Sequence, residues 1–115
     1  MQKIIVLLLC VLFSSAPVFA DYNSQEAQRL TREAESYQKK ADNYRREAGY
    51  YQRKALGYTS DAEYYIKQGD TNRAVSQLNY AKQAMNNYNT QMRYAKDADT
   101  KARNYLDRAK RYINR

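Results

Sequence analysis

Lysine, arginine and tyrosine are the residues of this chain whose chemistry could act on another molecule. The 115 residues include 20 lysines and arginines and 13 tyrosines, with one cysteine and no histidine. General acid–base, nucleophilic and metal chemistry mostly use histidine, cysteine or clustered carboxylates, and phosphate loops need closely spaced glycines. The sequence has no such pattern, so we expect no catalytic residue, no cofactor and no metal site. The chemistry that remains is non-covalent binding.

Basic residues recur at helical spacing in both halves of the chain. A ladder of cations could follow an anionic polymer or a phospholipid surface. Acidic residues are interspersed among these cations, and a solvated face with local ion pairs is the alternative interpretation. The candidate anion-binding residues are Arg32, Lys39, Arg46, Arg53, Lys82, Lys96, Arg103 and Lys110.

Four tyrosines form a candidate partner surface. Tyr50 and Tyr64 are separated by two heptads, and so are Tyr80 and Tyr94. If the apolar stripes of the two halves face each other, these four rings lie on one flank and exceed what a two-helix contact needs. Self-association into a four-helix bundle is one use of this flank, and capture of another protein is the alternative.

Helices must position these side chains, because small and large residues alternate at spacings of three and four. Only helical geometry places such residues on one stripe, and a stripe of this length predicts lengthwise packing against another helix. In the first half an alanine row is followed three residues later by a large row. The predicted contact residues there are Ala27, Leu30, Ala34, Tyr37, Ala41, Tyr44, Ala48, Tyr51, Ala55, Tyr58, Ala62 and Tyr65.

The second half repeats the pattern, but its large row follows the small row by four residues. The predicted contact residues are Ala74, Leu78, Ala81, Met85, Met92, Ala95, Ala102, Leu106, Ala109 and Ile113. Alanine rows allow the backbones to approach closely while the large side chains fill the remaining space. Alanine could face alanine, with tyrosine facing leucine or methionine, or each tyrosine could lie over an alanine.

Gly69 and Asp70 separate the two halves and read as a helix C-terminal cap followed by an N-cap. We therefore predict helices at about 23–68 and 71–114 with a turn at 69–70. A link this short makes neighbouring helices antiparallel. The predicted fold is all-α, a long two-helix hairpin of the alanine/tyrosine coiled-coil kind that self-associates. Gly57 is a possible site for a kink in the first helix.

The residues around this turn resemble those of a single tetratricopeptide helical hairpin. The resemblance rests on an aromatic, small, aromatic, Gly, Ala, large, Ala order at Tyr58, Ala62, Tyr65, Gly69, Ala74, Leu78 and Ala81. It covers about a fifth of the chain. The resemblance implies similar turn chemistry, and we transfer no peptide-binding role from it.

Residues 1–20 read as a secretory signal peptide. Lys3 precedes an apolar run at 4–13, and Val18, Phe19 and Ala20 form a cleavage end. The residues before Cys10 are leucines, where a lipidation site would have a small residue, so we expect no lipid anchor. Without Lys3, nineteen basic residues remain against twelve acidic ones, a net charge of +7.

These features predict an exported, non-enzymatic helical scaffold or interaction protein of the periplasm or cell envelope, or a secreted one, whose first partner is a second copy of itself. The alternatives are a small cationic, ATP-independent chaperone that holds unfolded proteins, and a binder of anionic envelope polymer or of a membrane surface. Export makes nucleic acid a less available partner. We expect no membrane span in residues 21–115, because an apolar stretch of roughly 20 residues is absent.

Overall fold

The computed structural model describes residues 22–114, which form two long helices and no strand. Helix α1 spans Tyr22–Lys67 and helix α2 spans Thr71–Ile113. The two helices pack against each other, so the predicted all-α helical hairpin is confirmed. The predicted signal peptide at 1–20 lies outside the described residues. In a sequence whose single proline precedes Tyr22, little interrupts a helix except glycine.

The turn between the helices is closed by backbone hydrogen bonds around Gly69. Gly69 has a positive φ of 74°, and its N–H donates to the Ile66 carbonyl at 3.0 Å. The N–H of Asp70 donates to the Tyr65 carbonyl at 2.9 Å, which completes a Schellman motif. The Asp70 carboxylate then accepts a hydrogen bond from the backbone N–H of Arg73 at 3.1 Å, as an N-cap does. Two residues thus end one helix and begin the next.

Two glycine-to-alanine substitutions should change stability in opposite directions. Gly69→Ala places a Cβ on left-handed backbone and should lower the unfolding free energy by about 1–2 kcal/mol. Gly57→Ala is its matched control: a Cβ there meets open space within α1, so helix propensity should raise stability by about 0.5–1 kcal/mol. Urea unfolding followed by circular dichroism measures both. Shifts in the same direction would contradict the assigned turn.

Helix α1 continues through Gly57 without a break in its assigned helical structure. The hydroxyl of Thr59 bonds the carbonyl of Ala55 at 2.9 Å, within the same turn of helix. The helix is therefore not interrupted at Gly57.

The hairpin is composed of two compact units, each containing one stretch of each helix. We call residues 22–41 with 96–114 the terminal unit, and Asp42–Ala95 the turn unit. In the terminal unit Ala34, Ala102 and Leu106 form a buried cluster, against which Tyr37 and Tyr105 pack. The turn unit has a different interior, because all of its buried apolar residues are alanines.

Candidate functional site

Alanine forms nearly all of the buried apolar contact between the helices. All thirteen alanines within residues 22–114 are buried, and only Leu30 and Leu106 join them among the larger apolar residues. Alanine costs no side-chain entropy when it is buried, but it also removes little apolar surface from water. The buried residues are Ala27, Leu30, Ala34, Ala41, Ala48, Ala55, Ala62, Ala74, Ala81, Ala84, Ala95, Ala98, Ala102, Leu106 and Ala109.

The structure corrects the predicted contact row of α2. Leu78, Met85 and Met92 are 47%, 40% and 37% exposed, so the prediction that they lie in the contact is wrong. The row three residues after the small row turns inward instead, and it includes the buried Ala84 and Ala98, which sequence reasoning missed. Leu106 is buried and Ile113 is half-buried, both in the terminal unit.

Ring pairing between the helices explains this rotation of α2. In the turn unit Tyr58 pairs with Tyr80 at a centroid distance of 5.5 Å, and Tyr44 pairs with Tyr94 at 5.4 Å. Tyr80 lies one helical turn before Ala84, so turning Ala84 inward also brings Tyr80 against α1. Paired aromatic rings gain roughly 0.5–1.5 kcal/mol beyond their area, which offsets the exposure of leucine and methionine.

The same pairs settle the stagger of the two helices within the turn unit. From the Tyr44–Tyr94 pair to the Tyr58–Tyr80 pair, the residue number rises by fourteen on α1 and falls by fourteen on α2. Both pairs therefore fit a single antiparallel register. One heptad further, the Arg73 guanidinium lies 5.7 Å from the Tyr65 ring centroid. In the terminal unit Tyr37 stacks on Tyr105 at 5.6 Å. Tyrosine therefore meets tyrosine or a cation, which neither proposed stagger anticipated.

The four candidate partner tyrosines lie at the surface of the turn unit. Tyr50, Tyr64, Tyr80 and Tyr94, which we call the tyrosine flank, are between 44% and 58% exposed. Tyr50 and Tyr64 each pack edge-on against the next residue, at 5.4 and 5.5 Å. Each ring is therefore held by a neighbour while much of its surface remains open.

The charges beside the tyrosine flank are balanced. Glu47 and Asp61 alternate with Lys54 on α1, and Arg73 lies on the facing side of α2. The Lys54 ammonium is 4.9 Å from the Tyr50 ring centroid. A hydrogen bond to the Tyr50 side chain, followed by the electrostatic interaction with Tyr50, raises the pKa of Lys54. Arg73 also forms an ion pair with Asp70 at 3.3 Å, so three acidic and two basic groups border these rings and neither sign has a large excess.

An open groove of about 190 Å³ lies on the tyrosine side of the turn unit. It is lined by Tyr51, Lys54, Tyr58, Tyr80, Gln83, Ala84 and Asn87. The lining combines aromatic rings, a cation and side-chain amides. These groups suit a surface contact in which both apolar and polar atoms find partners.

The eight candidate anion-binding residues are all exposed. Arg32, Lys39, Lys96, Arg103 and Lys110 belong to the terminal unit, whereas Arg46, Arg53 and Lys82 belong to the turn unit. Ion pairs are made by other cations, as in Arg29 with Glu26 at 2.9 Å and Arg45 with Asp42 at 3.2 Å. Arg29 donates a hydrogen bond to the Glu26 carboxylate, which lowers the pKa of Glu26.

A second exposed surface was not predicted from the sequence. Six large aliphatic side chains of the turn unit are between 37% and 63% exposed. We call them the aliphatic flank: Leu56, Ile66, Val75, Leu78, Met85 and Met92. Counted at 100° per residue from the alanine rows, they lie on the side opposite the tyrosines. Val75 and Leu56 each follow directly after a buried alanine and fit no predicted contact row. They were the sequence signal from which an exposed aliphatic surface could have been predicted.

Within residues 22–114, no group of three or more histidine, cysteine or acidic side chains is placed to hold a metal ion. In the same residues neither helix has a stretch that is long and apolar enough to cross a membrane.

Comparison of the chain with protein-family models, with curated proteins and with solved structures finds no match. The resemblance of the turn to a tetratricopeptide hairpin is therefore not accompanied by a family match.

Proposed function

We propose that this protein is an exported, non-enzymatic helical scaffold that associates with a second copy of itself through the tyrosine flank. The observation that carries the proposal is the contrast within the turn unit, which buries only alanines among its apolar residues and leaves four tyrosines open. A buried methyl group contributes about 0.8 kcal/mol, so this interior is weak for its length. Covering the tyrosine flank would add the apolar burial that the unit lacks.

Tyrosine suits this role because its ring packs like an apolar group while its hydroxyl stays bonded to water or to a partner. It is enriched at protein interfaces and orders at low entropic cost. Tyr50 and Tyr64 are already held by contacts to Tyr51 and Tyr65. Less side-chain freedom is then lost when a partner covers them.

The balanced charges support a second copy as the partner. In a two-fold interface the same surface meets itself, so Glu47 and Asp61 of one copy can approach Lys54 and Arg73 of the other. A flank of one sign would repel its own copy. The proposed export rests on the sequence of residues 1–20.

Substituting two rings of the flank tests the proposal. Tyr50→Ser with Tyr94→Ser should lower the mass of residues 21–115 in light scattering, because the shared surface loses two ring anchors. Leu78→Ser with Met92→Ser is the matched control, with two large side chains removed from the opposite flank and no change of mass expected. Circular dichroism checks that both variants stay helical.

A charge variant keeps the test decisive if the tyrosine variant unfolds. Glu47→Lys with Asp61→Lys alters only exposed side chains and leaves Asp70 as the one acidic group among the charges that border the flank. We expect it to favour the smaller species, most strongly at low salt. A mass that none of these variants alters would overturn the proposal.

A further inference from the structure

The aliphatic flank has no role in the proposed self-association and is the least water-compatible surface of the turn unit. Its centre is the row Leu78, Met85 and Met92 on α2, with Val75 beside it. Helix α1 adds Leu56 and Ile66, which are 63% and 60% exposed. Unlike tyrosine, these side chains have no polar atom that water can satisfy at the surface. Exposed apolar side chains gathered on one side of a helix pair are typical of an interaction site.

Basic residues border this flank along both helices. On α1, Arg53 lies one turn before Leu56 and Lys67 lies three turns after it. On α2, Lys82 lies one turn after Leu78, and Arg93 lies about two turns after Met85. All four are exposed, and we call them the basic rim.

Acidic groups are scarce on the same side. Asp42 is ion-paired with Arg45 at 3.2 Å, and Glu63 is the other acid of this side of the turn unit. The α2 segment from Thr71 to Lys96 contains no aspartate or glutamate. The aliphatic flank is therefore surrounded by net positive charge, in contrast to the balanced charges beside the tyrosines.

We propose that the aliphatic flank and its basic rim bind the surface of an anionic phospholipid bilayer. The helices would lie along the bilayer, with Leu78, Met85 and Met92 entering the boundary between headgroups and acyl chains. The long side chains of Arg53, Lys67, Lys82 and Arg93 can extend their charged ends to lipid phosphates while their stems stay near the apolar layer. Each such cation strengthens attachment to an anionic leaflet.

Charge and shape favour this occupant over two others. A second copy docked by the same flank would set one basic rim against another, and like charges across an interface disfavour association. A soluble anionic polymer would use the cations but would leave the aliphatic row in water. A bilayer accepts both, and the unbranched methionine side chains can adapt to an irregular lipid surface.

Co-sedimentation of residues 21–115, which contain the whole described hairpin, with lipid vesicles tests the proposal. Vesicles of equal parts phosphatidylglycerol and phosphatidylcholine should bind the protein, and vesicles of phosphatidylcholine alone should bind it at least about tenfold more weakly. Leu78→Ser with Met92→Ser should weaken binding to the mixed vesicles by about tenfold or more. Tyr50→Ser with Tyr64→Ser, whose rings pack against their own helix, is the control and should bind as the unaltered chain does.

The basic rim gives an independent variant. Lys82→Gln with Arg93→Gln changes only exposed cations, and it should weaken binding to the mixed vesicles and reduce the loss of binding between about 50 mM and 200 mM salt. Equal binding to both kinds of vesicle, or unchanged binding by the serine variant of the aliphatic flank, would overturn the proposal. So would binding of a soluble acidic polypeptide with no binding to vesicles. Vesicle binding and mass use different flanks, so either proposal can fail alone.

Discussion

Replacing Leu30 by alanine is expected to lower the free energy of unfolding by about 2–5 kcal/mol. Leu30 is wholly buried and is the largest side chain among those enclosed to this degree within residues 22–114. Truncation to alanine removes three buried carbons, and the surrounding structure refills such a space only in part. The lost transfer free energy and the remaining cavity therefore both lower the free energy of unfolding. Thermal or urea unfolding followed by circular dichroism measures the effect.

The matched control is Leu56→Ala, the same chemical change at a position that is 63% exposed. Substitutions at such sites usually change stability by no more than about 0.5 kcal/mol. A difference of several kcal/mol between the two variants is expected. Equal losses would mean that Leu30 is not enclosed by α2, and the assigned packing of the terminal unit would then be wrong.

The second large effect is expected from enlarging the alanine contact. Ala34→Leu inserts three carbons between α1 and the buried pair Ala102 and Leu106, in a site that Tyr37 and Tyr105 border. Overpacking of this kind typically costs about 1–3 kcal/mol. In a chain of this size a loss of 1 kcal/mol lowers the melting temperature by several degrees, roughly 4–8 °C.

Ser36→Leu is the control for that variant, since it introduces the same side chain at an exposed position of α1. Leucine has a higher helix propensity than serine, so stability should stay level or rise slightly. A loss confined to Ala34→Leu locates the close contact at the alanine row. If Ala34→Leu leaves the melting temperature unchanged, the helices do not approach closely there.

The helices themselves could be predicted from local sequence. The alanine row of α1, the absence of proline after Pro17 and the Gly69–Asp70 pair specify two helices and their turn, and the observed bounds differ from the predicted ones by at most one residue. Each of these signals acts within one or two helical turns. Residues close in sequence are therefore sufficient to define them.

The facing row of α2 could not be predicted in the same way. Large apolar residues follow its alanine row at a spacing of four, whereas Ala84 and Ala98 follow at a spacing of three. Which row turns inward depends on the rings presented by α1, because Tyr44 and Tyr58 gain partners only in one rotation. That choice is a long-range packing decision, and local apolar periodicity favoured the other row.

The two candidate surfaces also differ in how far local sequence could predict them. Tyr50 and Tyr64 lie outside the contact in either choice of row, so the sequence could place them at the surface, whereas Tyr80 and Tyr94 pair with α1 in the observed rotation. The aliphatic flank exists because α2 is rotated, since Leu78, Met85 and Met92 would otherwise be covered. Arg53 and Lys82 of its basic rim were among the predicted anion-binding residues, but its apolar centre was assigned to the interior.

The solution mass of residues 21–115, measured by light scattering over a range of protein concentrations, tests the proposed scaffold most directly. The self-association proposed for the tyrosine flank predicts a discrete dimer or larger species that dissociates on dilution, and that the Tyr50→Ser and Tyr94→Ser double variant does not form. A helical chain that remains monomeric at every concentration would contradict it.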